Sequence, residues 1–477
     1  MTWKPLVALA VATLSFSAAP LHAQSCTAST ATGSSAWVNN PGTTPPSTVP
    51  GNESNHCDFA QFSWQSFLSL MQVGDQGTGQ LVFETYMDTD GMFPASGSPT
   101  PWGSEPWPLT LTEITQAGSG FGLYAQNKSQ VYYDMSVNQT MYNYINTNAL
   151  YNATCFNAGV TAKDIHMPPT VSTDSSNESI ELKTAWLPMT SCNPKQYHCI
   201  TALINGQKAT VGLIGIHIVH KLPDHQEWIW STFEHINNAP DCTQVTNPPV
   251  GYSNWNFFET GFVATGSACP ACNNDGSSCS ALTQCNVNTS EPQLPNICRV
   301  TPLATITCNS GDSNLNDDPN NTACLNASVQ NTLSSGSVWK NYQLVGTIWF
   351  KPGMSAPDSS GQTPPSGQSI VGNLPTGGST QMLANSVMET YTQAPDVDPN
   401  CFSCHTNTFK AYSASSAETS GHADFSHIFN RILETNTITC PTISTAASHG
   451  TKATATASAP APKPASSHGQ GNKYDKN

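Results

Sequence analysis

Apolar residues recur along this chain with two different spacings, which separate candidate helices from candidate strands. In "CDFAQFSWQSFLSLM" (Cys57 to Met71), Phe59, Phe62, Phe67 and Leu70 fall near every third or fourth position, which predicts a helix. "QLVFETYM" (Gln80 to Met87) and "SIELKTAWL" (Ser179 to Leu187) alternate instead and predict strands. "HCITALINGQKATVGLIGIHIVHK" predicts two strands around Asn205-Gly206, a pair that tolerates the positive φ angles of a tight hairpin. "EWIWSTFEH" and "YQLVGTIWF" (Tyr342 to Phe350) add further strands. Helical spacing returns at "STQMLANSVMETYTQ", with Ser379 or Thr380 as the cap and Leu383, Val387 and Tyr391 on one face. "ADFSHIFNRILET" predicts a last helix whose buried stripe is Phe425, Ile428, Phe429 and Ile432.

These elements predict an α+β chain: a β-rich body over residues 56–378 and a short helical segment, 379–441, packed against it. An irregular arm rich in Ser, Thr, Pro, Gly and Asn spans 24–55. Six cysteines crowd 269–308, a stretch with little apolar periodicity that predicts a disulfide-stapled insertion. From 442 to 477 the chain is Ala, Ser, Thr, Pro and Lys without periodicity, which predicts a disordered tail. At the other end, Lys4, the apolar run Leu6 to Phe16 and the small residues before Ala23 predict a secretory signal over 1–23. That run is short for a bilayer span, and no later stretch approaches about 20 uncharged apolar residues. The expectation is an exported protein, periplasmic or secreted, with no membrane span.

Composition sharpens this picture. The net charge is −15, and the tail is basic, with four lysines against one aspartate, so the acidity lies in the body. An acidic body repels phosphate backbones, which argues against nucleic acid, and it suits a basic redox partner protein. The chain has 16 cysteines, and in an exported chain these read first as disulfides. "CPAC" at Cys269 to Cys272 is followed by Asn273, so it lacks the histidine of a haem site. No Walker loop, zinc-protease helix or hydrolase elbow occurs.

One short run carries specific chemistry. "CFSCH", Cys401 to His405, has the C-x-x-C-H spacing of c-type haem attachment. Two thiols two residues apart on one turn can each add across a vinyl group of the porphyrin. The next residue then presents its imidazole to the iron from the same side. Cys401 and Cys404 are therefore the expected thioether positions for one covalent haem c, and His405 the proximal iron ligand. The competing reading is a Cys401–Cys404 disulfide beside a surface histidine.

The opposite side of the iron is less constrained. No methionine follows Met388, whose place beside a helix's apolar face suits packing. The upstream stretch "GLIGIHIVHKLPDHQEWIWSTFEH" holds His217, His220, His225 and His235. On a strand His217 and His220 point to opposite faces, and Gly215 shares the face of His217, leaving room for a flat ring to approach. His217 is the distal candidate on that ground, against the ordinary alternative of a satisfied core histidine.

The chain also resembles a group of exported proteobacterial proteins called cytochrome c family proteins. The resemblance rests on "FSWQSFLSLM", "GIHIVHKLPDHQEWIWSTFEHINNAP", "NICRVTPL", "VWKNYQLVGTIWF", "LANSVMETYTQ", and "CFSCH" followed by "ADFSHIF". It implies a single c-type haem at Cys401, Cys404 and His405 and redox activity, and it identifies no substrate. Two functions are open: an electron carrier, or a haem enzyme such as a peroxidase or oxygen-dependent oxidase that uses the large body as a substrate pocket. In the second, His217, His220 or Glu234 would serve as acid or base.

Overall fold

A computed structural model describes residues 25–349 apart from 52, 54, 117–121, 163–164, 166, 170–177, 224, 226–227, 242–254, 259–296, 300–301, 304–307 and 309–317. Beyond 349 it describes 384–390, 393, 409–410, 420–421 and 427–443. The architecture is α+β, a mixed sheet of eight strands with few helices.

The sheet is built around one long strand. β1 (Met87–Asp88), β2 (Thr110–Leu111), β3 (Tyr132–Val137), β4 (Ile180–Pro188), β5 (Cys199–Ile204), β6 (Gln207–His220), β7 (Ile229–His235) and β8 (Tyr342–Ile348) form it. β4 pairs β6 along most of its length. On the other side β5 takes the first half of β6, from Gln207 to Gly212, and β7 the second, from Gly215 to His220. β8 continues from β7, and β3 and β1 continue from β4. All pairings are antiparallel except β2 on β5. Just past β2, Glu113 bridges to Tyr133 of β3, so the sheet curls toward itself as a half-barrel.

The Asn205-Gly206 turn forms as the dipeptide predicts, with φ of 51° and 73°. β4, β7 and β8 are buried on almost every residue, because both faces of the sheet are covered. On one face lie α1 (His56–Leu70), capped by the Asn55 side chain, and α5 (Asp318–Thr332). There Phe67 stacks on Phe233 at 4.4 Å, and Ser63 Oγ meets Ser231 Oγ at 2.7 Å and Thr347 Oγ1 at 2.6 Å. On the other face lie α3 (Gln139–Thr147) and α4 (Ala153–Ala162), which follow the short α2 (Thr89–Met92). Met141, Ile145 and Phe156 pack there with Val219, Trp230 and Ile348.

Some expected elements take another form. "QLVFETYM" is a 3-10 turn over Val82–Thr85 followed by the two residues of β1. The Glu84 carboxylate accepts from the Leu81 N–H and closes the turn on itself, a local hydrogen bond that alternation does not reveal. In "STQMLANSVMETYTQ", residues 384–390 make a single turn: the Asn385 side chain accepts from the Val387 N–H and points into the core. In "ADFSHIFNRILET" the described part is a 3-10 turn, His427–Arg431, with Ile428, Phe429 and Ile432 fully buried as expected; Phe425 lies outside the described residues. The signal stretch, nearly all of the 269–308 insertion and residues 444–477 also lie outside them.

Edge strand β8 is closed by a side chain. Asn326 on α5 accepts from the Leu344 N–H at 3.0 Å and from Trp64 Nε1 at 2.9 Å, and donates to the Leu344 carbonyl at 2.8 Å. Asn326→Ala would leave buried donors without partners, each costing about 1–3 kcal/mol. A loss of about 3 kcal/mol in urea denaturation is therefore expected.

Candidate functional site

Side-chain alternation sets one row of the sheet under the approach to the CFSCH run. Lys183 of β4 pairs His217 of β6, which pairs Thr232 of β7, so all three project from the α3–α4 face. The neighbouring row is Tyr133, Ala185, Gly215 and Glu234. Residues 384–390, which precede Cys401 in sequence, lie across these two rows. A Cβ on Gly215 would stand 2.9 Å from Val387 Cγ2, so glycine here makes room for that turn, not for a ring of another kind. The Tyr133 hydroxyl donates to the Val387 carbonyl at 2.7 Å, and Asn385 Nδ2 donates to Thr232 Oγ1 at 3.0 Å and the Phe233 carbonyl at 2.9 Å.

A buried carboxylate pins the turn. Glu234 is fully buried and ion-paired to Arg299, whose guanidinium also reaches Asp241 at 3.3 Å. Its second oxygen accepts from the Ser386 N–H at 3.0 Å and the Ser386 hydroxyl at 2.5 Å. Burial alone would lower the pKa of Arg299, but Glu234 and Asp241 raise it, so it stays charged. Both of its oxygens are engaged, so Glu234 anchors the turn.

His217 lies beside this anchor. Its side chain is 14 % exposed and its Nε2 is 3.3 Å from Glu389 Oε1. Burial pushes the Glu389 carboxyl up, but His217, Lys183 and the Asn385 N–H outweigh it, and the group is held below the usual carboxylate range. Lys183 is lowered, chiefly by burial, against the pull of Glu389. The other histidines of the stretch are paired too. His220 meets Glu178 at 2.9 Å on the opposite face from His217, as the strand period requires, and His225 meets Glu53 at 3.3 Å. His235 stacks on Tyr197 at 4.0 Å, its Nε2 donating to the Gln196 carbonyl at 2.9 Å and its Nδ1 accepting from the Asn237 N–H.

The chain after the run returns to the same face. Ile428, Phe429 and Ile432 join Val219, Trp230 and Ile348 in one cluster, Phe429 stacking on Phe156 at 4.6 Å. Arg431 pairs with Glu113 at 2.5 Å, and a Cys155–Cys440 disulfide ties the end of the segment to α4. Cys401, Cys404 and His405 themselves lie outside the described residues. Met388 is fully buried beside Val387, Ile214 and Phe257, a packing role. Alternation alone put His217 and Gly215 on this face; Glu389, Ser386 and Arg299 were missed because their signal lies in three-dimensional pairing, not in spacing.

Among the described residues four disulfides are formed: Cys26–Cys57, Cys155–Cys440, Cys192–Cys199 and Cys308–Cys324. Such bridges fit an oxidising compartment. No helix among those residues is long and apolar enough to cross a membrane, and no three of their His, Cys, Asp or Glu side chains group to hold a metal ion. No protein-family model, curated protein or solved structure matches the chain.

Two measurements check this site. Ser386→Ala removes one hydrogen bond to a buried carboxylate and should cost about 1.5–3 kcal/mol in urea denaturation. His235 is depressed to about 4, first by burial, so the unfolded chain binds a proton there between pH 6.5 and about 4 that the folded chain refuses. Stability should fall as the solution is acidified through that window, and His235→Asn should flatten the slope.

Proposed function

We propose that the protein is an exported c-type cytochrome carrying one covalently bound haem and serving in electron transfer. The observation that carries this reading is the run Cys401 to His405, whose two thiols and adjacent imidazole are the donor set of thioether attachment and axial ligation. Cys401 and Cys404 would hold the group and His405 would ligate the iron; the haem supplies one-electron chemistry when bound. The arrangement around the run fits such a cofactor. The chain before and after the run is fastened to one face of the body, by Ser386 on Glu234 and by the Ile428–Ile432 cluster. A haem attached between these anchors is held by the body and is not left on a free domain.

His217 is the proposed second residue that would hold the iron; its Nε2 now lies 3.3 Å from Glu389 Oε1, and that carboxylate would still have Lys183 as a neighbouring charge. The acid body favours a basic protein as electron partner, because opposite surface charge speeds encounter. Export and the membership of a cytochrome c family belong to the same proposal.

An absorption spectrum of protein from a host that matures c-type haem tests the reading. A sharp low-spin reduced spectrum that carbon monoxide leaves unchanged is expected. No haem absorbance would overturn the cytochrome reading, and a high-spin form that binds carbon monoxide would replace the carrier by a haem enzyme. His217→Ala should convert the iron to high spin; an unchanged Soret band and spin state would remove His217 from the site.

A further inference from the structure

The opposite face of the sheet holds a second concave site, independent of the haem reading. Strand alternation puts Asp134 and Ser136 of β3 on the face that carries Thr184 and Trp186 of β4, and Asp88 of β1 pairs Ser136. Together with the loop residues Glu105 and Trp107 they wall a cavity of ≈ 170 Å³.

Two polar groups of the wall lack partners. Ser136 is only 5 % exposed, yet among the described residues nothing pairs with its hydroxyl. Glu105 Oε1 is buried without a partner. Thr184 Oγ1 is already turned to the Trp186 indole, from which it accepts at 2.7 Å. The apolar walls are aromatic: Trp186 is 1 % exposed, and Trp107, at 45 %, is an exposed large ring beside the opening.

The carboxylates are electrostatically frustrated. Burial, then the charges of Asp88 and Asp90, pushes Asp134 up to about 8, against the Met135 N–H and Arg431. Asp88 is raised by burial and by Asp90, and Glu105 by burial and by Asp88. Of the other charged groups lining the cavity, Glu84 is paired with His198 at 2.6 Å and Asp75 is held by Thr78. No cation from the described residues lines the space.

We propose that this cavity binds a small primary ammonium ion, its N–H donors directed to Asp134, Ser136 and Glu105 and its alkyl part against Trp107 and Trp186. Three features select this class. An ammonium group brings three donors and no acceptor, matching the unpaired wall. Its charge relieves the repulsion among the carboxylates. Tryptophan faces attract cations and cover the alkyl chain. A metal ion is disfavoured because, among the described residues, no three ligating side chains converge.

Isothermal titration of the purified protein with butylammonium chloride, 1-butanol, calcium chloride and glucose tests the assignment. Butylammonium should bind, and 1-butanol, which has the same chain and no charge, should not. Because the ligand needs ionised Asp134, affinity should rise about tenfold from pH 7 to pH 9, with proton release on binding. Asp134→Asn should abolish that pH dependence. Trp107→Ala, at an exposed position, should weaken binding severalfold while the melting temperature stays unchanged. Equal binding of butanol, preference for calcium or glucose, pH-independent binding of butylammonium, or no heat from any probe would each overturn the proposal.

Discussion

The ion pair between Glu234 and Arg299 joins parts of the chain that are far apart in sequence. Glu234 lies near the end of a central strand, Arg299 lies within the cysteine-rich stretch, and Ser386 belongs to the approach to the CFSCH run. Taking two charges out of water is costly, and the pair survives because nearly every donor and acceptor is used: Arg299 also reaches Asp241 and the Ile236 carbonyl, and Gln343 adds a donor to Glu234. Such a network adds little net stability compared with a packed apolar core. What it does add is register, because Ser386 meets the carboxylate with both its N–H and its hydroxyl. That register then sets Val387 over Gly215 and Glu389 against His217.

Much of the body was legible in the sequence. β4 to β8 and the Asn205-Gly206 hairpin follow directly from alternation and turn chemistry, and α1 from the spacing of its aromatic and apolar residues. Signals failed where a local hydrogen bond overrode the pattern. Glu84 folds its own backbone into a 3-10 turn, and the Asn385 side chain supplies the turn's acceptor and spends its donors on the sheet. α3, α4 and α5 passed unnoticed because their faces are polar or mixed: Asn326 and Ser328 on α5 are buried or half-buried for hydrogen bonds that apolar spacing cannot show.

For the candidate site, the motif and the histidine face were legible and the docking machinery was not. His217 stands out as a strand residue facing the right way, but its partner Glu389 lies far along the chain. The glycine beside it was read as room for a flat ring; what packs against it is Val387 of the chain's own C-terminal part. The two faces of one sheet thus serve different ends. One receives the segments before and after the CFSCH run, and the other holds an acceptor-lined cavity between β3, β4 and the Trp107 loop.

The most direct test of the account is the intact mass of the denatured protein after acid-acetone extraction, from a host with c-type haem maturation. The account predicts the polypeptide from Gln24 plus the mass of one haem, and a bare polypeptide for the Cys401→Ala, Cys404→Ala double variant. A bare mass for the unaltered protein, with Cys401 and Cys404 joined in a peptide map, would contradict it.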